Sequence, residues 1–391
     1  MTISLNSRVR GTAVMLALTV GVYAICAASA LVSAPAQAQQ AQAQQAQAQQ
    51  VQAQQTQAPV PQVQEFIPDN TQEDGASVLM YHRFGEDDVP STNVTLAQID
   101  AHIRELTSGD YTLLSLPEIV RRLKSNDVFP QKSVGISIDD AYLSVYTEAW
   151  PRFKKAGIPF TVFVATDPID QGLSRYMSWD QLREMAKDPL VTIGSQTAAH
   201  LHMIDTNLSA NTADLEKSNR RFAQELGAAP LLIAYPYGEF DDAVVAAARN
   251  NGFIAGFGQH SGAVGASDDL YRLARFAMNE TYGDLARLRT GASALPLVVR
   301  DFTPLDTVIS AQNNPPAIGF TLPDDLPQAD QIACYSNHEG SLKLEHLGPR
   351  IEVRMSTPLP QGRTRLNCTV PMTDAHGEMR WRWMGRLLYV K

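Results

Sequence analysis

The sequence predicts an α/β domain built on a parallel sheet, followed by a small all-β domain. Short runs rich in Val, Ile and Phe alternate with helical stretches from residue 77 to about residue 260. This alternation is typical of strands buried on both faces of a parallel sheet. After about residue 300, prolines, glycines and strand-like segments dominate, which indicates an all-β unit. A chain of 391 residues is long enough for both domains.

The first 38 residues have the pattern of a secretory signal. Arg8 and Arg10 precede the mostly apolar run Gly11–Val32, and the small residues Ala36 and Ala38 follow. We predict a signal peptide over residues 1–38. The alternative is an uncleaved segment that tethers the protein to a membrane, since the run is long enough to span one. Both interpretations predict export to the periplasm or the extracellular space.

A linker is predicted over residues 39–75. Residues 39–64 carry no charge and consist largely of repeated Ala and Gln, and prolines follow. Such a segment has too little apolar surface to offset the entropy lost on ordering, so we expect it to be disordered.

The α/β domain is predicted over residues 76–300. The strand-like runs are Val78–Tyr81, Val134–Ile138, Pro159–Ala165, Val191–Ile193, Leu231–Tyr235 and Phe253–Phe257. Helices are expected over residues 142–155, with Pro151 as a point of kinking, over 211–226, and from Asp241 to Gly252.

The all-β domain is predicted over residues 301–391, as a small sandwich. Cys334 and Cys368 lie in two of its strand-like segments, and export favours a disulfide between them; two buried free thiols are the alternative. Trp381 and Trp383 alternate on one strand, where they either pack in a core or offer stacking faces to sugars.

Polar residues follow the predicted strands at equivalent ends. His82 follows the first strand, the pair Asp139–Asp140 the second, and Tyr237 the fifth. Gln196 and His200 follow the fourth strand, and His260 lies just beyond the sixth. Ligand sites lie at the carboxyl ends of parallel strands in barrels and in open sheets alike. We therefore expect these side chains to form a single site.

Asp139 and Asp140 are suited to two different tasks, because adjacent residues point in different directions. One carboxylate can bind a metal ion while the other acts as a base on water. The alternative is a helix N-cap. Gln196 and His200 are four residues apart, so one helical turn would place both on one face. His200 is either a metal ligand or a structural histidine.

The net charge of −9 argues against a nucleic-acid partner and leaves open a neutral polymer such as a glycan.

The stretch from Val78 to about Tyr282 resembles the polysaccharide deacetylases, the NodB-homology enzymes of carbohydrate esterase family 4. The residues Ser137 to Asp140 correspond to the family's T-F-D-D motif, and Tyr235 to Gly238 resemble its P-P-Y-like turn. Tyr271 to Arg275 look like the late Y-R-L-P-R segment. The resemblance implies a distorted (β/α) barrel and the metal-dependent removal of N-acetyl groups from sugars.

The resemblance also implies residue roles. Asp139 would be the catalytic base, Asp140 and His200 would be ligands of a Zn, Co or Ni ion, and the backbone N–H of Tyr237 would bind the oxyanion. The family's second motif reads H-[ST]-x-x-H; here Gln196 stands in place of its first histidine, and an amide oxygen is the weaker ligand. We therefore expect a metal that is loosely held or absent, unless His202 substitutes.

The general acid departs from the usual pattern of the family. The family's late leucine–histidine segment, which supplies the general acid, is missing from this sequence. The arginine that often begins the third motif has no counterpart before Tyr235. Residues 80–83 instead resemble the permuted branch that acts on bacterial exopolysaccharides. This makes His82 the first candidate for the acid and His260 the second.

The expected activity is hydrolysis of N-acetyl groups on polymers that contain N-acetylglucosamine: exopolysaccharide, chitooligosaccharide or peptidoglycan. Two alternatives stay open. One is an O-acetyl esterase. The other is a degenerate deacetylase that binds glycan without turnover, which Gln196 favours.

Overall fold

A computed structural model describes residues 72–374 and 377–391 of the chain. The predicted signal peptide, 1–38, and the predicted linker up to residue 71 lie outside the described residues. The first described strand, Gln72–Glu73, falls within the segment predicted as linker. Across the described ranges, no helix combines the length and the apolar character needed to cross a bilayer.

The described elements occur in the following order along the chain. The strands are β1 (Gln72–Glu73), β2 (Gly75–Tyr81), β3 (Arg83–Phe84), β4 (Asn93–Val94), β5 (Thr112–Leu113), β6 (Phe129–Pro130), β7 (Ser133–Asp139), β8 (Phe160–Val164), β9 (Val191–Ser195), β10 (Leu232–Ala234), β11 (Ala255–Phe257), β12 (Ala263–Gly265), β13 (Phe276–Ala277), β14 (Leu295–Pro296), β15 (Arg300–Thr303), β16 (Ile318–Thr321), β17 (Ala333–Ser336), β18 (Gly340–Ser341), β19 (Lys343–Leu347), β20 (Arg350–Arg354), β21 (Gly362–Thr373) and β22 (Met379–Val390). The α-helices are α1 (Leu96–Leu106), α2 (Leu116–Ser125), α3 (Trp150–Ala156), α4 (Thr166–Asp170), α5 (Trp179–Met185), α6 (Leu208–Leu226), α7 (Asp242–Asn250) and α8 (Leu285–Ala292).

One sheet of nine strands forms the centre of the first half of the described chain. Its main order is β11-β10-β9-β8-β7-β2-β12, with β5 beside β7 and β13 beside β2. The strands from β2 to β11 along this path run parallel, so their carboxyl ends share one edge. The residues of β2 and β7 are all buried, because the sheet curls and helices cover its outer face. The expected distorted (β/α) barrel is confirmed.

Local sequence signals explain the helix ends. Thr95 and Gln98 form a capping box at the start of α1, and Asp241 caps α7 by accepting from Val244 N–H. The helix expected over residues 142–155 is divided into a π-helical turn, Val145–Ala149, and α3. Pro151 accounts for the change because it has no N–H and its ring crowds the carbonyl four residues earlier.

Two sheets, antiparallel except for the parallel pair β14–β22, make up the C-terminal part. Five strands pair in the order β14-β22-β21-β17-β18, and four in the order β15-β16-β20-β19. Side chains of both sheets, such as Phe320 and Leu366, form one hydrophobic cluster, as in a sandwich. Cys334 and Cys368 lie opposite each other on β17 and β21 within this cluster and are joined by a disulfide.

The sandwich packs directly against the barrel. The ring of Trp383 meets Phe276 edge-on, with the ring centres 5.2 Å apart, and the Tyr389 hydroxyl donates to Asp205 over 2.6 Å. Trp383 therefore has the packing role that the sequence left as one of two alternatives.

We expect the disulfide to contribute roughly 3–4 kcal/mol to the free energy of unfolding, because it closes a loop over a separation of 34 residues. Thiol alkylation of the denatured protein should label neither Cys334 nor Cys368 unless a reductant is added first. Mass spectrometry of the labelled peptides distinguishes these residues from Cys26. Labelling of either peptide without reductant would contradict the prediction.

Candidate active site

The candidate site lies at the carboxyl edge of the parallel sheet. The loops that follow β2, β7, β9 and β10 bring His82, Asp140, His200 and Tyr237 next to the end of β7, where Asp139 is the last residue. The side chains that the sequence analysis grouped by strand end are thus neighbours, His260 excepted.

Asp139 forms a buried, bidentate ion pair with Arg275. The Nη1 and Nη2 atoms of Arg275 donate to the two carboxylate oxygens over 2.6 and 2.9 Å, and both residues are completely buried. Arg275 also donates to the Gly258 carbonyl and to Ser137 Oγ. The guanidinium therefore fixes the orientation of the Asp139 carboxylate. Arg275 ends the segment that resembles the family's Y-R-L-P-R stretch, but its role could not be predicted from the sequence.

Two further side chains approach the same carboxylate. His82 Nε2 lies 3.9 Å from Asp139 Oδ2, and Gln259 Nε2 donates to this oxygen over 3.4 Å. The candidate acid and the candidate base therefore lie side by side, with the His82 side chain only 13% exposed.

Asp140 points away from Asp139, toward His200. Its Oδ1 lies 3.4 Å from His200 Nε2, and its backbone N–H donates to Gln196 Oε1 over 3.0 Å. Burial alone would raise the pKa of Asp140, but the interaction with His200 and the electrostatic effect of His82 outweigh it and lower the pKa to about 2. Asp140 is therefore a carboxylate at neutral pH.

Left-handed backbone is concentrated at this site. The described residues include nine non-glycine residues with positive φ, and five of them lie in the loops after β7, β9 and β10. The five are Asp140, Ala141, Thr197, His200 and Tyr237. Such conformations cost of order 1–3 kcal/mol each and persist where surrounding contacts impose them.

Asp140 and His200 fit a divalent metal ion as a pair of ligands. His200 Nε2 is buried without a hydrogen-bond partner among the described residues. Two ligands at zinc distances and a tetrahedral angle are about 3.4 Å apart, which matches the observed separation from Asp140 Oδ1.

Gln196 fits less well as the third ligand. Its Oε1 already accepts from Asp140 N–H, and its buried Nε2 has no partner in the described part of the chain. His202 Nδ1 lies 2.8 Å from Glu239 Oε2, and its ring stacks on Tyr237. Within residues 72–374 and 377–391 there is no cluster of three or more His, Cys, Asp or Glu residues suited to hold a metal.

The Tyr237 loop borders the site opposite β7. Tyr237 has φ 58° and ψ 3°, and its ring meets the His200 ring edge-on at 4.7 Å. Gly238, with φ 71°, lies so close to Gln259 that a Cβ would be 2.4 Å from the Gln259 backbone nitrogen. Glycine therefore allows this loop to pack against the end of β11.

His260 lies apart from the other candidates. It is buried beside Phe240 and lines a small cavity toward the sandwich with Asp268 and Arg386. Burial, assisted by Arg386, lowers the pKa of His260 to about 3, so the ring is neutral at neutral pH. A neutral imidazole turned toward the sandwich is poorly placed to protonate a leaving amine.

The comparisons with known proteins agree with the fold and the motifs. Residues 126–256 match the model of the family described as polysaccharide deacetylase. A poly-beta-1,6-N-acetyl-D-glucosamine N-deacetylase of Staphylococcus epidermidis is 28% identical over 236 residues, which cover 53% of this chain and 80% of that protein. The Staphylococcus aureus enzyme of the same name is 27% identical over 237 residues, covering 54% and 80%.

Two solved structures show the same fold. A Streptococcus pyogenes deacetylase in complex with acetate has a TM-score of 0.52 at 21% identity and covers 57% of this chain and 99% of its own. A polysaccharide deacetylase from Bacillus cereus has a TM-score of 0.50 at 19% identity, covering 56% and 69%. The resemblance found in the sequence is thereby confirmed: this chain is similar to polysaccharide deacetylases in the family model that residues 126–256 match, in its sequence relatives and in its fold.

Proposed function

We propose that this protein hydrolyses the N-acetyl groups of a polysaccharide that contains N-acetylglucosamine. The observation that carries the proposal is the divergence of two adjacent carboxylates, each facing one histidine: Asp139 faces His82, and Asp140 faces His200. The names of the staphylococcal relatives support poly-β-1,6-N-acetylglucosamine as the first polymer to test.

Asp139 and His82 supply the two proton transfers in this proposal. Asp139, held by Arg275, accepts a proton from the water that attacks the acetamide carbon. The carbon–nitrogen bond then breaks, and His82 gives a proton to the departing amine. The products are acetate and a free amine. The 3.9 Å between the two side chains lets both reach the same acyl group.

The negative charge that develops on the acetyl oxygen needs donors in fixed positions. The backbone N–H of Tyr237 is our candidate donor, on a loop that borders Asp140 and His200. Burial, with the nearby Asp140 carboxylate, raises the pKa of the Tyr237 hydroxyl, so this group also stays protonated at neutral pH.

Asp140 and His200 would hold a Zn, Co or Ni ion, with the Gln196 amide oxygen as the third and weakest ligand. When bound, such an ion polarises a carbonyl group and increases the acidity of water. The low pKa of Asp140 keeps this ligand charged and ready to bind.

Gln196 supports a second candidate function, that of a glycan-binding protein without turnover. The amide oxygen of its side chain already accepts a hydrogen bond from Asp140 N–H, which weakens the case for tight metal binding. An O-acetyl esterase would use the same groups on an ester carbonyl. The predicted signal peptide and the disulfide in the sandwich support a periplasmic or extracellular location.

Replacement of Asp139 by Asn should lower the rate of acetate and free-amine release from acetylated β-1,6-glucosamine oligomers by about 100-fold or more, the usual contribution of a general base. The measurement is a steady-state assay, with and without chelator and added Zn²⁺, Co²⁺ or Ni²⁺. Acetate release from an O-acetylated oligomer, without free amine, would instead identify the esterase.

Asp188→Asn is the matched control, since Asp188 is also a buried aspartate but bonds to Trp150 far from the site. It should lower the melting temperature and leave kcat unchanged. Full activity in a folded Asp139→Asn protein would exclude Asp139 as the base. Retained oligomer binding without release by the wild type under any metal would favour the binding protein.

Replacement of His200 by Ala should weaken Zn²⁺ binding at least roughly tenfold, because even the loss of a residue that only hydrogen-bonds to a metal ligand has an effect of this size. Gln196→His should strengthen binding by supplying a second imidazole. Equilibrium dialysis measures both, and His338→Ala, an exposed histidine of the sandwich, is the control. If His200→Ala and Gln196→His bind Zn²⁺ with the same affinity as His338→Ala and the wild type, this metal site is excluded.

Replacement of His82 by Gln should lower kcat by about 100-fold, whereas His260→Gln should leave kcat near the wild-type value, because only His82 lies beside Asp139. The two variants also differ in acid stability. His260 stays neutral in the folded protein down to pH of about 3, while the unfolded chain takes up this proton near pH 6.5. The wild type therefore loses stability as pH falls from 6.5 to 3, and His260→Gln should lose less. A reversed order of kcat values would make His260 the acid.

A further inference from the structure

An arginine from the sandwich reaches the loop that holds Tyr237. Arg363, near the start of β21, donates through Nη1 to the Tyr237 carbonyl, and its Nε lies 3.2 Å from Glu239 Oε1. The bond to Tyr237 joins residues 126 positions apart in the chain. The same guanidinium therefore contacts the backbone of this loop and the buried carboxylate of Glu239.

Glu239 extends this contact to a second face of Tyr237. Its carboxylate is 3% exposed, and its other oxygen, Oε2, lies 2.8 Å from His202 Nδ1. The His202 ring is parallel to the Tyr237 ring, with an angle of 4° and centres 3.8 Å apart. Arg363, Glu239 and His202 thus form a closed set of contacts around Tyr237, here called the Tyr237 clamp.

Tyr237 needs such a clamp because its backbone conformation is unfavourable by itself. A non-glycine residue with φ 58° is crowded between its Cβ and its own backbone, so an isolated peptide would leave this conformation. The bond from Arg363 fixes the carbonyl of Tyr237, and the stacked His202 fixes its ring. These two constraints hold the residue whose N–H is the candidate oxyanion donor.

We propose that Arg363 is a positioning residue for deacetylation, so that the sandwich completes the active site that the barrel carries. The proposal rests on the proposed function, in which the Tyr237 N–H binds the developing oxyanion. Arg363 acts through the loop and does not touch the acetyl group. A merely adhesive role for Arg363 at the contact between sandwich and barrel would affect stability but leave the loop ordered.

The experiment compares Arg363→Met and Arg363→Lys with Arg354→Met. Arg354 also lies in the sandwich, is 44% exposed and pairs with Glu345, so it is a matched arginine outside the clamp. We expect Arg363→Met to lower kcat roughly 10- to 100-fold with KM changed by less than about threefold, as for a displaced oxyanion donor. Arg363→Lys keeps the positive charge but loses the planar guanidinium with its several donors. Its kcat should therefore lie between the values of the wild type and of Arg363→Met.

Hydrogen–deuterium exchange of the peptide that spans residues 234–240 provides the readout independent of activity. Exchange should rise in Arg363→Met, less in Arg363→Lys, and not in Arg354→Met. Added guanidinium ion should restore part of the kcat of an Arg363→Ala protein. A lower melting temperature with unchanged exchange and kcat would overturn the proposal.

The two proposals fail in different ways. If the wild type releases no acetate from any oligomer, the proposed function fails, yet the exchange data still decide whether Arg363 holds the loop. If Arg363→Met does not fold, the exchange of Arg363→Lys decides: unchanged exchange at residues 234–240 overturns the positioning role.

Discussion

The buried ion pair between Asp139 and Arg275 is the interaction on which the rest of the site depends. Two charges without solvent contact are tolerated here because both Nη atoms of Arg275 donate to the carboxylate, and the guanidinium also donates to Gly258 and Ser137. The pair links Asp139, the last residue of β7, to Arg275, the residue before β13, and so fixes the position of the end of β7. The orientation of Asp140, and through it of His200, follows from this anchor.

The site is assembled from backbone that would not adopt these conformations alone. Left-handed residues in three loops separate the two adjacent carboxylates and turn His200 and Tyr237 inward. The free energy that holds them comes from the buried sheet beneath and from side-chain contacts across loops, such as Asp140 N–H to Gln196. Gln196 therefore has a structural role that a histidine in its place would have to reproduce while also binding a metal ion.

The sandwich is more than an appendage to the barrel. Trp383, on its strand β22, packs on Phe276 of the barrel, and Arg363, on β21, reaches the Tyr237 loop. The contact between the two parts therefore extends from the core to the mouth of the site.

The sequence by itself determined the strands β2, β7, β8, β9, β10 and β11 and the helices α6 and α7, because buried strands and capped helices leave local signals in hydrophobic pattern and in residues such as Asp241. The helices α1, α2, α4, α5 and α8 were not predicted. It also determined Asp139, Asp140, His82, His200 and Tyr237 as candidates, since polar residues after buried strands meet at one edge. Only the tertiary structure decided which of them face each other, and that Arg275 and Arg363 support them across separations of 136 and 126 residues. It also turned His260 toward the sandwich. No local pattern encodes such pairings, because they arise from the way distant segments pack.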